Sequence, residues 1–183
     1  MKKEETLYIM RDSNYRQGLS NLINYVSSIR DTKNMVMIEI GSYSGESTEM
    51  FTNSFGKVIS IDPFLNDYDI NDETCQYMKL SDVYNIFYKN MSKYENFEHI
   101  RKTSDEAIND LINIKVDLVY IDGLHTYEQV KKDIENYLPL INVGGFICGH
   151  DYHPSWQGVV NAINEKLGKP DELFQDTSWI KKV

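Results

Sequence analysis

The chain has 183 residues, 41% hydrophobic, 12% aromatic and 26% charged, a balance that supports one buried core, is short for two and excludes a disordered chain. A formal net charge of −9 argues against broad binding to nucleic-acid phosphates, which needs a basic face to displace counterions. No apolar run is long enough to span a membrane, the first ten residues lack the apolar stretch of a signal peptide, and Cys75 and Cys148 form neither a disulfide framework nor a metal motif, so a reducing cytoplasm is expected.

From Ser13 to Arg30, Leu19, Leu22, Ile23, Val26 and Ile29 form a helical stripe with Asp12 or Ser13 as its cap. Met35 to Ile40 is an unbroken apolar strand ending in Gly41, and a helix opened by Gly45 and Ser47 follows. Val58 to Ile61 is a second buried strand, stopped by Asp62 and Pro63. Residues 65–79 read as loop and Leu80 to Tyr94 as helix. Phe97 to Ile100 is a short strand, and Ser104 caps the next helix. Asp117 to Ile121 is the fourth strand, Tyr127 to Leu138 a helix, Gly145 to Cys148 the fifth strand and Trp156 to Leu167 a helix stopped by Gly168. Glu172 to Gln175 and Ser178 to Val183 are close enough only for a hairpin. Strands alternating with helices imply a mostly parallel sheet covered on both faces. A single domain over residues 1–183 is expected, with a leading helix region at 1–34 and a candidate lid at 65–97.

In such a sheet, ligands bind beyond the carboxyl ends of the strands. Glu39 to Gly45 spells E-x-G-x-x-x-G, and Tyr43 occupies the place of the middle glycine of a dinucleotide fingerprint. A cationic cofactor is therefore favoured over a pyrophosphate. Glu39 is expected to meet its positive amino-acid part, and Gly41 and Gly45 to permit the turn. Ser42, Tyr43 and Ser47 line the same turn. Asp62, with Pro63 beside it, is placed to accept both ribose hydroxyls of an adenosine, and Thr103 and Ser104 to reach the adenine, although Ser104 is equally explained as a cap.

The densest polar cluster follows the fourth and fifth strands: Asp122, His125, His150 and Asp151. Group transfer to an oxygen nucleophile needs the acceptor to lose a proton while it is held in line with the transferred group. His125 suits the base, and Asp122 positions the acceptor. Asp122, Asp151 and His150 form a candidate metal set, the carboxylates suiting Mg²⁺ and the imidazole suiting Mn²⁺, Fe²⁺ or Zn²⁺. Each residue has a structural alternative: Asp122 as a turn former, His150 as a strand-end hydrogen-bonding group, Asp151 as a cap.

The motifs Ile38 to Gly45, Ile121 to Tyr127 (I-D-G-x-H-x-Y) and Gly144 to Tyr152 (G-G-x-x-x-x-H-D-Y) together resemble class I S-adenosylmethionine-dependent methyltransferases, in particular the small-molecule group that includes macrolide-sugar and catechol-type O-methyltransferases. The resemblance runs from Met35 to the C-terminus. It implies a Rossmann-like, seven-stranded sheet with its last strand antiparallel and a cofactor held by Glu39, Gly41, Asp62 and the Ser104 region. It also implies a divalent metal, Mg²⁺ or Mn²⁺, on Asp122 and Asp151, and a base at His125. His150 stands where those relatives often have an acidic residue, a departure that moves the metal preference away from Mg²⁺. The expected partner is a small-molecule acceptor bearing a hydroxyl, a sugar or a phenol, with no nucleic acid and no membrane, and a homodimer is a candidate assembly. The alternatives are a non-catalytic module that senses S-adenosylmethionine and a nicotinamide-dependent oxidoreductase.

Overall fold

The computed structural model describes residues 13–66, 68 and 79–183. Helix α1 (Ser13–Ile29) leads into β1 (Val36–Ile40), α2 (Glu46–Thr52), β2 (Lys57–Ile61), α3 (Leu80–Met91), β3 (Phe97–Ile100), α4 (Ser104–Leu111) and β4 (Val116–Ile121). Then come α5 (Tyr127–Tyr137), β5 (Ile141–Gly149), α6 (Gln157–Leu167), β6 (Glu172–Leu173) and β7 (Trp179–Lys182). The strands form one sheet in the order β3-β2-β1-β4-β5-β7-β6. β1 to β5 pair in parallel, and β7 runs antiparallel to both β5 and β6. This is the Rossmann-like α/β sheet with an antiparallel C-terminal pair.

Side chains alternate across a strand, so each strand feeds two cores. Ile38 and Ile40 join Ile59, Ile61, Val119, Ile121 and Ile147 beneath α4, α5 and α6. Met37 joins Val58, Leu118, Tyr120, Phe146 and Cys148 beneath α1 and α2. A third cluster packs Val83, Phe87 and Met91 of α3 against Phe64 and Tyr43, next to the first two strand ends. No helix among the described residues is long and apolar enough to cross a membrane.

Two expectations change. β5 begins at Ile141, ahead of Gly145, because its register against β4 shifts: Val116 pairs with Ile141 and Leu118 with Phe146. The cap of α4 is Thr103. Its hydroxyl accepts the Glu106 amide while the Glu106 carboxylate accepts the Thr103 amide, which makes Ser104 the first helical residue. Part of the candidate lid, at 67 and 69–78, lies outside the described residues, as do residues 1–12 of the leading region and Cys75. Of the remainder, α3 is fixed by buried Val83, Phe87 and Met91 and Phe97 opens β3, while Leu65, Tyr68 and Leu80 lie on the wall of the cavity described below.

Candidate active site

The carboxyl ends of β1, β2, β4 and β5 are stitched to one another by backbone bonds that continue the sheet past its strands. Gly41 N–H donates to Ile61 O at 2.9 Å, Asp122 N–H to Ile40 O at 2.8 Å and His150 N–H to Ile121 O at 3.1 Å. Above this edge lies a cavity of about 380 Å³, a size suited to a small organic ligand. Of the expected residues, Gly41, Ser42, Tyr43, Ser47, Asp62, Pro63, Ser104, Asp122, His125, His150 and Asp151 line it. The first strand's loop and the polar cluster therefore face one space.

Gly41 is required at its position. Its φ is +87°, and a Cβ there would sit 2.0 Å from the carbonyl oxygen of Asp122, so a side chain would force the first and fourth strand ends apart. Tyr43, Phe64 and Asp151, after β1, β2 and β5, also hold positive φ (45°, 51° and 62°) although none is glycine, and all three line the cavity. Left-handed backbone in bulky residues costs free energy that the surrounding structure must hold in place. It is concentrated here at the cavity rim.

The Asp62 carboxylate organises this loop. Oδ2 accepts the amides of Ser42 and Tyr43, each at 2.9 Å, and Oδ1 accepts the amide of Phe64 at 2.9 Å. A carboxylate offers about four lone-pair sites, so three are already used. Asp62 can take one ribose hydroxyl in this arrangement, not the two that its strand-end position suggests.

Glu39, Gly45 and Thr103 do not line the cavity. Glu39 shares the parity of Met37, which points its fully buried side chain to the α2 face, where it accepts Ser47 Oγ and Thr48 Oγ1 at 2.6 Å each. It thereby fixes the start of α2 and with it Ser47, which does face the cavity. The carboxylate on the cavity wall at this end is Glu46, paired with Arg16 of α1 at 2.5 Å. Gly45 sits at the N-cap of α2 with φ +89°, against Phe87. Thr103 is consumed by its capping box.

Asp122, His125, His150 and Asp151 converge as a quartet, their side chains 11–18% exposed. His125 Nε2 lies 3.0 Å from Asp151 Oδ2 and 3.6 Å from Asp122 Oδ1, and His150 Nδ1 lies 3.1 Å from Asp151 Oδ1 and 3.8 Å from Asp122 Oδ1. Burial pushes the Asp151 carboxyl up, but the bonds and charge of the two imidazoles outweigh it and hold the group well below the usual carboxylate range. The ligand atoms of Asp122, His125 and Asp151 lie within 4.8 Å of one another. A set of two hard oxygens and an imidazole nitrogen suits a divalent ion of the Mn²⁺, Fe²⁺ or Zn²⁺ type better than Mg²⁺. His125, expected only as a base, thus also belongs to this set of candidate ligands. Trp156 packs on its ring with centroids 4.8 Å apart, and Tyr15 of α1 approaches His150 at 6.1 Å.

Sequence reasoning passes over Tyr15, Glu46, Phe64, Leu65 and Asp133, all on the cavity wall. Asp133 is the least conspicuous. On α5 it reads as one more polar residue of a solvated helix face, yet it is 1% exposed. Burial pushes its carboxyl up to about 6, the nearby Ser104 hydroxyl and Gln129 amide drawing it back and Asp105 adding to the rise. His99 of β3 is half-buried among Phe64, Phe87 and Phe97 and does not line the cavity, and burial pushes its imidazole down.

A family model described as a methyltransferase domain matches residues 38–152, well over half of the chain. Protein R132 of Acanthamoeba polyphaga mimivirus is 26% identical over 153 residues, which is 79% of this chain and 65% of that protein. Protein y4gI of Sinorhizobium fredii is 34% identical over 71 residues, 38% of this chain and 8% of that protein. The chain thus spans less than two thirds of both curated relatives. Among solved structures, an O-methyltransferase from Bacillus cereus in complex with S-adenosylhomocysteine superposes with a TM-score of 0.61 at 15% identity, covering 96% of this chain and 82% of that one. The calicheamicin methyltransferase CalS11 superposes with a TM-score of 0.60 at 16% identity, covering 91% and 80%. At such identities the likeness is one of fold.

Proposed function

Because the chain belongs to the methyltransferase domain family, we propose that it moves the methyl group of S-adenosylmethionine to a hydroxyl oxygen of a small molecule, a sugar or a phenol. The observation that carries this is the single cavity shared by the Gly41–Ser47 loop, Asp62 and the Asp122–His125–His150–Asp151 quartet. The loop and Asp62 form the cofactor half and the quartet the acceptor half. As the methyl C–S bond breaks and the C–O bond forms, the sulfonium becomes a neutral thioether and the acceptor's proton passes to His125. Asp151 orients that imidazole and stabilises its charge. The sugar acceptor draws support from CalS11, described as a TDP-rhamnose 3'-O-methyltransferase.

The convergence of the Asp122, His125 and Asp151 ligand atoms favours a second reading of the acceptor half. A divalent ion would be held by these three residues, with His150 bonded to Asp151 to orient it. Bound there, such an ion supplies Lewis acidity that lowers the pKa of the acceptor hydroxyl. Transfer of labelled methyl from S-adenosylmethionine to a panel of sugar and phenol acceptors, with and without a chelator, tests both. Turnover insensitive to the chelator keeps His125 as base alone. Loss of turnover restored by Mn²⁺ selects the ligand role, and absence of any transfer to a hydroxyl overturns the acceptor assignment.

A further inference from the structure

The geometry points to Asp133 as the residue that selects the adenine ring of the cofactor, its Oδ2 accepting the exocyclic amino group of the base. This inference rests on reading the cavity as an S-adenosylmethionine site and gives that site its base discrimination.

Gln129 and Asp133 lie one turn apart on α5, facing the start of α4. Gln129 Nε2 donates to Asp133 Oδ1 at 3.0 Å and to Ser104 Oγ at 3.1 Å, which ties Asp133 to the strand end where the base of an adenosine is expected. Oδ2 is buried and has no hydrogen-bond partner, while Asp133 and Ser104 both form part of the cavity wall. A buried acceptor left without a donor is costly, and native structures keep few of them.

Of the neighbouring donors, Tyr68 on the same cavity wall feels the Asp133 charge but makes no bond to Oδ2, and two others are committed elsewhere. Lys132 pairs with Asp105 at 2.6 Å, and the Tyr137 hydroxyl donates to the Ser104 carbonyl at 2.7 Å. The Ser104 hydroxyl makes no well-formed bond to Oδ2. A donor on the ligand would complete Oδ2.

S-adenosylmethionine carries three kinds of donor: its ammonium, its ribose hydroxyls and the amino group of the base. Asp62 ends β2 and takes the ribose, and the loop from Gly41 to Ser47 receives the amino-acid part. Ser104 and Asp133 stand one strand further along the sheet edge, which leaves the base and its amino group. An ionised carboxylate can only accept. It therefore favours a 6-amino purine and disfavours a 6-oxo purine, whose oxygen would face it acceptor to acceptor.

The test is calorimetric titration of the wild-type chain and of Asp133→Asn with S-adenosylhomocysteine and with its 6-oxo counterpart, S-inosylhomocysteine. The wild type is expected to prefer the adenosine compound by on the order of 10- to 100-fold, the range of one hydrogen bond to a charged group. In Asp133→Asn the amide oxygen can keep the Gln129 bond and turn the NH₂ to the cavity, so the preference should collapse or reverse. Equal wild-type binding of both compounds overturns the inference without recourse to a variant. So does full discrimination retained by a folded Asp133→Asn. If the wild type binds neither compound, the cofactor reading falls and takes this inference with it.

Discussion

Two buried carboxylates at opposite ends of the same sheet are treated in opposite ways. Asp117, near the amino end of β4, accepts the Val36 amide at 3.0 Å, the Arg30 guanidinium at 2.9 Å and the Asn142 amide at 3.2 Å. Burial pushes its carboxyl up, but these bonds outweigh burial and hold it below its ordinary value. Asp133, on the helix that leaves the carboxyl end of the same strand, keeps one oxygen without a donor and is pushed up to about 6. The quartet and three of the four left-handed non-glycine residues among the described residues stand at that same rim. One end of the sheet closes its polar groups on themselves for stability. The other holds them open in a cavity, the trade expected where function competes with stability.

The largest effect that would sharpen this contrast is at the open end. His125→Ala should lower methyl transfer by roughly 10²- to 10⁴-fold, the span of general acid–base catalysis, while S-adenosylhomocysteine binding by calorimetry stays near the wild-type value. A variant with wild-type turnover would remove His125 from the chemistry under both readings of its role.

Asp133→Asn should next show that the open end costs stability. The folded carboxyl titrates near 6 against an ordinary value of 3.8, so folding binds a proton more readily than unfolding. The Asp133 contribution is therefore fully present below about pH 4 and is lost as pH rises through about 6. Without ligand, the variant should be more stable than wild type by about 3 kcal/mol above pH 7, with no gain below pH 4. Asp105, Lys132 and Tyr137 face the same group and remain unchanged in the variant. Urea unfolding at pH 7.5 and pH 4 reads the difference, and a variant destabilised at pH 7.5 would break the comparison.

At the closed end the sign reverses. Asp117→Ala should cost about 2 kcal/mol at neutral pH by leaving the Val36 amide unpaired, with cofactor affinity unaltered. Since its folded carboxyl titrates below its unfolded one, that contribution holds above the ordinary value and fades as pH falls. Urea unfolding checks the cost, and a parallel loss of cofactor affinity would mean that the two ends are not separable.

Much of the scaffold is legible in the sequence because continuous runs such as Val36–Ile40 and Val116–Ile121 are buried on both faces, and Gly41, Asp62 and Asp122 mark where they stop. The start of β5 is not, because Asn142, Val143 and Gly144 are exposed or irregular and pair only through a shifted register. Within the candidate site, the quartet is visible as density of titratable residues. Glu39 misleads because strand-end position is read without strand parity: its neighbours Ile38 and Ile40 face α4 to α6, so Glu39 faces α2. Asp133 and Tyr15 are invisible for a different reason. Each sits on a helix at a polar position: the packing of α5 against α4 turns Asp133 inward, and Tyr15 stays exposed yet borders the cavity because α1 lies beside the quartet.

Every role assigned above depends on the cavity at the carboxyl edge receiving S-adenosylmethionine. Calorimetry and thermal melting of the purified chain with S-adenosylmethionine and S-adenosylhomocysteine test it most directly. Saturable heat at one site per chain is expected and, at a hundred times Kd, a stabilisation of about 2.7 kcal/mol, seen as a rise in Tm of roughly 5–10 °C. No heat and no shift with either compound would contradict it.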